Sequence, residues 1–360
     1  MPRPAPRRYP PGVNSAHDPL RLTLDGDALV ANWRWLRARG GTAACGAAVK
    51  ADGYGLGAIE VTRRLAEAGC RDVFVATWAE AEALLPTIGD ASLSVLHGLA
   101  EGDLPLAAAL PARPVLNTAL QVARWRGIGA GRPCDVMVDT GMNRLGLSAR
   151  EVGEGVLDGL DIDVLMSHLA CADEDVPMNA RQRSDFLALA ARVPARRISL
   201  ANSAGICLGE DYAFDLTRPG LALYGGVPRR EAEDGILQVV RVEAQILQRR
   251  RIEAGDSVGY NATFVAGREM ELAILNIGYA DGYLRGFSGT GRARAGDRML
   301  PLVGRVSMDL VAVDAGDAPD LRESDWVELD YHLPAASAQS GVSQYELLTT
   351  LGSRHHRMWR

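Results

Sequence analysis

Lysine is nearly missing from this chain. Of 39 basic residues among 360, Lys50 alone is a lysine and the rest are arginines; 45 acidic residues leave a net charge of −6. A mildly acidic protein lacks the basic surface that nucleic-acid binding demands, so nucleic acid is not expected as a partner. Cysteine is sparse. Cys45, Cys70, Cys134, Cys171 and Cys207 are odd in number, widely spaced and free of any C-x-x-C pair. That excludes a disulfide framework and a zinc module, and predicts buried thiols in a reducing compartment. No run approaches the ~20 apolar residues of a membrane span. Residues 1–18 carry prolines and arginines but no apolar stretch, so they are read as a disordered extension rather than a signal peptide, on a cytosolic protein. What is present is ordinary for a folded chain: 47% hydrophobic and 23% charged residues.

Short apolar runs at 45–49, 73–76, 93–96, 114–116, 135–138, 164–166, 198–200 and 221–224 alternate with amphipathic pieces such as 58–68 and 179–191. Strands alternating with helices imply βαβ units and a parallel sheet. Eight such strands predict an α/β fold of the (β/α)8 TIM-type barrel over 19–237, with function at the strands' C-terminal ends. After Gly226 the texture changes. Val240, Val242, Ala244 and Ile246 alternate with polar residues, and further apolar runs are split by glycine-rich turns. A second, mostly β domain is expected over 238–360.

Lys50 closes the first barrel run, ahead of Ala51-Asp52-Gly53-Tyr54-Gly55. Gly53, Gly55 and Ala58 fit the G-x-G-x-x-A dinucleotide fingerprint. The next strand, however, ends in Thr77 and Trp78, with no carboxylate for a ribose hydroxyl. The other reading makes Lys50 a covalent anchor, since an amine forms an imine with an aldehyde cofactor and a guanidinium does not. A bias toward arginine explains the depletion blandly. A lysine surviving that bias at a barrel strand's C-terminal end is placed for catalysis.

Four more clusters follow strand ends. Arg144, in 139–146, has the planar fork that clamps a carboxylate. His168 suits a base or a hydrogen-bond relay. Asn202 and Ser203 follow the seventh run, and Arg218, Gly220 and Leu221 adjoin the eighth, where such barrels bind phosphate. A plain helix cap at Asn202 or Ser203 is compatible with that. In the second domain Tyr260 and Tyr279 stand beside turn glycines.

These segments together resemble alanine racemase, a pyridoxal-phosphate enzyme of fold type III. The motifs are AVKA at 48–51 with Tyr54-Gly55, VDTGMNRLG at 138–146, ANSA at 201–204, RPGLALYG at 218–225, IGYADGY at 277–283 and VGRVSMD at 303–309. The resemblance implies that Lys50 anchors pyridoxal 5'-phosphate and acts as one catalytic base. It places Tyr54, Asn202, Ser203 and the Gly220–Leu221 backbone around the phosphate, and Arg218 at the pyridine nitrogen. Tyr260, supplied by the partner subunit of a homodimer, would be the second base, linked through His168 to Arg218. Arg144 and, through its main chain, Met308 of the partner subunit would hold the substrate carboxylate, with Tyr279 and Arg285 at the entrance. The implied activity interconverts L- and D-alanine, supplying D-alanine for peptidoglycan. A broader amino-acid racemase or a pyridoxal-phosphate carrier without turnover are the alternatives, and no metal is implied.

Inverting a stereocentre requires proton removal on one face and delivery on the other, hence two bases. A tyrosine of pKa ~10 needs positive charge nearby to serve as one, and His168 with Arg218 is expected to supply it. The chain departs from the family most in two places, with a milder change where Asp52-Gly53 replaces the common Asn-Ala. Met137 stands where many members carry a carbamylated lysine that steadies the arginine of the following motif, and Ser353 stands where some place a tyrosine over the phosphate.

Overall fold

The computed structural model describes residues 18–360; the extension expected over 1–18 lies outside them, save Asp18. Two compact units are present, one of Gly26–Val239 and one of 18–25 with Val240–Arg360. The strand Leu20–Leu24 (β1), which the sequence placed with the barrel, is a strand of the second unit, and the boundary falls two residues later than expected.

In the first unit the strands are Ala44–Cys45 (β2), Ala47–Ala48 (β3), Asp72–Val75 (β4), Ser92–Val95 (β5), Arg113–Leu116 (β6), Cys134–Met137 (β7), Ile162–Met166 (β8), Ala195–Ser199 (β9) and Leu216–Thr217 (β10). Strands β3 to β9 pair in chain order, all parallel, and β10 pairs with β2. Every residue of β4 and of β7 is buried, as a sheet covered on both faces requires. The ends of the sheet meet through β10. Gly46 and Ala48 donate to Thr217 O and Pro219 O (both 2.9 Å), while Arg218 and Asp215 donate to Ala201 O (2.9 Å) and Ile198 O (3.2 Å). Gly46, between β2 and β3, admits no side chain, because a Cβ there would stand 2.8 Å from Asp72 O.

The eight-stranded α/β barrel was thus legible, but its last strand was misplaced. Residues 221–224 form a 3-10 turn, Leu221–Tyr224, and the eighth strand is the two-residue β10. Pro219 and Gly220 end that strand, and Gly225 at φ +91° closes the turn. Apolar content alone does not separate a buried turn from a buried strand. Elsewhere periodicity served well: Ala58–Ala68 is a helix ended by Gly69 at φ +109°.

Where the barrel strands begin, a charged layer replaces an apolar plug. Arg113 pairs with Asp163 (2.6 Å) and Asp135 (3.4 Å), and Arg197 with Asp163 (2.7 Å) and Asp72 (2.8 Å). Ser94 donates to Asp135 at 2.5 Å. Burial pushes the Asp135 carboxyl up while Arg113 and these donors pull it back. Four of the five cysteines are buried and all are unpaired.

The second unit is built on an eight-stranded sheet, with a short ribbon of Ser257–Val258 and Phe264–Val265 and two α-helices, Leu333–Ser340 and Gln344–Thr349, besides it. The sheet's strands besides β1 are Val240–Ile252 (β11), Met270–Leu275, Arg292–Ala295, Arg298–Val303, Val311–Asp314, Trp326–Leu329 and His356–Trp359, and all neighbours are antiparallel except β1 with His356–Trp359. The expected alternation holds: Val240, Val242, Ala244 and Ile246 are all buried. A register shift between Ile246 and Gln248 lets the first half of β11 pair with β1 and Trp326–Leu329, and the second half with Met270–Leu275. No described helix is long and apolar enough to cross a membrane.

Candidate active site

Lys50 lies just past β3, at the end of the barrel where function is expected. The backbone then changes hand. Ala51, Asp52, Gly53 and Tyr54 have φ of +54°, +54°, +61° and +54°, four consecutive left-handed residues, three of them with a side chain. Each such residue costs about 1–2 kcal/mol, so the turn persists only because its surroundings hold it. Gly53 donates to Val49 O (2.8 Å), Gly55 to Ala51 O (2.9 Å) and Gly57 to Asp52 O (2.8 Å). The Asp52 carboxylate accepts the Ala58 N–H at 2.8 Å. That bond occupies the helix amide a dinucleotide would have used, so the G-x-G-x-x-A match has a structural explanation.

The turn buries Tyr54, whose ring stacks on Tyr224 with centroids 4.6 Å apart. Tyr224, buried in its turn, donates to Ala48 O at 2.8 Å. Gly220 faces the same ring, since a Cβ on it would come within 2.2 Å of the Tyr54 hydroxyl oxygen. The buried Ser203 hydroxyl accepts the N–H groups of Gly220 (3.0 Å) and Ala222 (3.2 Å). Asn202 is the cap of the short helix Ser203–Cys207, accepting the Gly205 N–H at 2.8 Å. Tyr54, Ser203 and the start of the Leu221–Tyr224 turn thus converge, while the Asn202 oxygen is engaged as a cap.

Arg218 is buried, with no carboxylate in salt-bridge contact among the described residues. It donates to Ser167 O at 2.7 Å and to the Ser199 hydroxyl, which donates onward to Leu216 O. Burial pushes its pKa down to about 10, with Asp135 of the charged layer opposing, so it remains charged at neutral pH. Arg144 is exposed in a loop organised by Asp139, whose carboxylate accepts the N–H groups of Gly141 (2.9 Å), Met142 (2.9 Å) and Asn143 (3.1 Å). Its guanidinium has no hydrogen-bond or ion-pair partner among the described residues, yet its charge reaches both Lys50 and His168. Met137 is buried, and its Cγ would stand 3.2 Å from a Cβ on Gly146.

His168 corrects an expectation. Burial, and then the charges of Arg218, Arg144 and Lys50, push its pKa down to about 3, so it is neutral and supplies no positive field. Any such field comes from the two arginines and Lys50. The shift also fixes a pH dependence. Between pH values of about 3 and the ordinary 6.5, the unfolded chain binds a proton that the folded chain refuses, so stability falls as pH drops through that window. His355, pushed down to about 4 mainly by burial, acts in the same sense. Urea midpoints measured near neutrality and about two pH units lower check this. The His168→Asn variant should lose less between them than the wild type, and parallel losses would show that His168 is not held neutral.

The second unit carries the remaining candidates. Tyr260, 65% exposed, sits in a turn with Gly259 at φ +78° and Asn261 at +63°, beside a cleft of about 480 Å3 lined by Arg250, Leu272, Arg305 and Leu310. Met308 is 53% exposed. Tyr279 donates its N–H to Ser307 O and Ala280 donates to Met308 O, both at 3.0 Å, so Tyr279 and Met308 share one cluster. The Arg285 guanidinium lies 5.1 Å from the Tyr279 ring centroid. Sequence reasoning missed what fastens this cluster. Arg354 donates to the buried Asp281 (2.6 Å) and to Asp309 (2.8 Å), and His355 Nε2 lies 2.8 Å from Asp281 O. It also missed Glu80 and Ser199, and gave no role to Tyr224 within its RPGLALYG motif; for Glu80 the Thr77-x-x-Glu80 spacing of a capping box was the available signal.

Comparison with known proteins places the whole chain. Residues 24–228 match the family model described as alanine racemase, N-terminal domain, and residues 239–359 that of the alanine racemase C-terminal domain. The alanine racemase of Methylobacterium nodulans is 44% identical over 96% of this chain and 97% of its own length. A catabolic alanine racemase of Mesorhizobium japonicum is 43% identical over 93% and 92%. The crystal structure of alanine racemase from Bartonella henselae, with covalently bound pyridoxal phosphate, superposes with a TM-score of 0.89 at 36% identity, covering 95% of this chain and 99% of that one. With both domain models matched and the barrel-mouth geometry in place, the chain belongs to the alanine racemase family.

Proposed function

We propose that this protein is a pyridoxal-phosphate-dependent alanine racemase, a cytosolic homodimer whose two bases are Lys50 and Tyr260 of the partner subunit. The observation that carries the reading is the sole lysine, set past a barrel strand in a strained turn beside Tyr54, Ser203 and Gly220. These residues fit the cofactor. Lys50 is an amine held below its ordinary pKa, chiefly by burial and then by Arg144, which favours the neutral nucleophile. Gly220, bare of side chain against the Tyr54 hydroxyl, leaves room for a phosphate; its own N–H goes to Ser203, whose hydroxyl proton, with the Tyr54 hydroxyl, can be donated to the phosphate. Arg218, fixed by Ser199 and Ser167, is the cation for the ring nitrogen, and Asn202 shapes the cradle as a cap.

When bound, pyridoxal phosphate draws electrons from the α-carbon of an attached amino acid and so makes its α-proton removable. The chain's own residues do the rest. Lys50 takes or returns the proton on one face, and Tyr260 of the partner subunit on the other. Arg144, with no protein partner of its own among the described residues, holds the substrate carboxylate, together with the main chain of Met308 of the partner subunit. Tyr279 and Arg285 line the entrance. The exposure of Tyr260 and Met308 supports a site completed by a second subunit. Supply of D-alanine for peptidoglycan is part of the proposal.

Incubation with L-alanine in deuterium oxide, following both α-proton loss and chirality, tests the reading. Exchange with racemisation is the expected result. Exchange with retention would mean a single base, and no exchange despite a borohydride-trappable chromophore would mean a carrier.

A further inference from the structure

The handedness of the backbone changes between Lys50 and Ala51, and the Ala51 N–H at that junction is taken by a side chain from a distant element. Glu80 Oε1 accepts it at 2.8 Å. The other oxygen, Oε2, accepts the N–H groups of Ala76 (2.7 Å) and Thr77 (3.4 Å) at the start of helix Trp78–Leu84. A capping box normally closes within its own helix turn. Here one carboxylate also bridges from the end of β4 to the residue after Lys50.

The charges around the amine give this bridge a second consequence. From the loop after β7 comes Arg144; from the loop after β8, His168; and next to His168 stands Arg218. Asp52 in the turn and Asp139 in the Arg144 loop are bound to backbone amides. Among the charges that act on Lys50, Arg144 is adverse and Glu80 favourable.

We propose that Glu80 is a positioning residue for Lys50, fixing the Lys50–Ala51 peptide where the backbone changes hand and standing as the amine's counter-charge. The proposal rests on the reading of Lys50 as the cofactor-anchoring base. Its geometric part is a matter of strain: with the Ala51 N–H released, the junction loses a bond that offsets the cost of the left-handed turn. Its electrostatic part is a matter of sign. Removing the carboxylate leaves Lys50 facing burial and Arg144 alone, so its amine gives up its proton more readily.

The single lysine makes the test unusually clean, because 13C-lysine labelling yields one side-chain signal. Its titration is followed by NMR in the cofactor-free protein. Glu80→Gln removes the charge and keeps one acceptor oxygen, enough for the helix start but not also for the Ala51 N–H, and should lower the Lys50 midpoint by about one pH unit. It should also loosen the cofactor, seen as a several-fold faster fall of the bound chromophore on dilution. Thr77→Ala weakens the same helix start from the other side and should leave the Lys50 midpoint unchanged. Glu80→Asp keeps the charge but not the reach, so the midpoint should stay near wild type while the Ala51 amide exchanges hydrogen faster.

An unmoved midpoint in Glu80→Gln overturns the proposal, as does an equal shift in Thr77→Ala or unchanged Ala51 exchange in Glu80→Asp. Failure of the racemase reading would show separately, as wild-type protein that does not exchange the alanine α-proton.

Discussion

Lys50→Arg should abolish racemisation, with a loss of at least ~1,000-fold, and should abolish the borohydride-trappable chromophore as well. Arginine preserves the positive charge and nearly the length, so solvation and long-range electrostatics change little. What disappears is the capacity to be neutral. A guanidinium of pKa above ~12 neither attacks an aldehyde nor takes a proton at neutral pH. The surroundings do the opposite for the lysine, since burial and Arg144 both favour its neutral form. No other lysine exists to take over. Absorbance titration with pyridoxal phosphate and a racemisation assay read the two losses separately. Wild-type-like turnover in this variant would end the assignment.

Tyr260→Phe should cost about 100- to 10,000-fold in racemisation, the usual worth of a positioned acid–base group. Lys50 remains, so one enantiomer of alanine should still exchange its α-proton in deuterium oxide without inverting, while the other should not. Mixing makes the prediction sharper. If each site takes Lys50 from one chain and Tyr260 from the other, equal amounts of Lys50→Arg and Tyr260→Phe protein, dissociated and reassociated, form hybrids in half of the dimers. One of the two sites in each hybrid is intact, so about one quarter of wild-type activity should return. No recovery would place both bases in one chain. Tyr260 is 65% exposed, which leaves its hydroxyl available to such a site.

Much of the candidate site could be proposed from the sequence because its motifs are local. A lysine at a strand end, the VDTGMNRLG run around Arg144, and Ser203 with Gly220 each lie within a few residues of a turn that the sequence itself specifies. What escaped detection depends on distant partners. Glu80 reaches Ala51 across 29 positions, Arg354 reaches Asp281 across 73, and Arg197 pairs with Asp72 across 125. The neutrality of His168 escaped for the same reason, since burial and three cations converge on it from separate loops. β1 shows the limit most plainly. Five residues that alternate too little to declare their sheet pair with β11, so that Leu20 lies opposite Ala244.

The sequence by itself determined the alternation of strands and helices, the change to β texture after Gly226, and the singularity of Lys50. Each is set by periodicity or composition, which local chain geometry reads directly. Tertiary structure alone decided which strand closes the barrel, that β1 joins the second sheet, and that Arg144 has no protein partner among the described residues while Glu80 takes the Ala51 N–H next to Lys50. Those outcomes depend on burial and on charges brought together from far along the chain. A lone lysine among arginines marks the candidate anchor, and burial with the folded neighbours lowers the pKa of its amine.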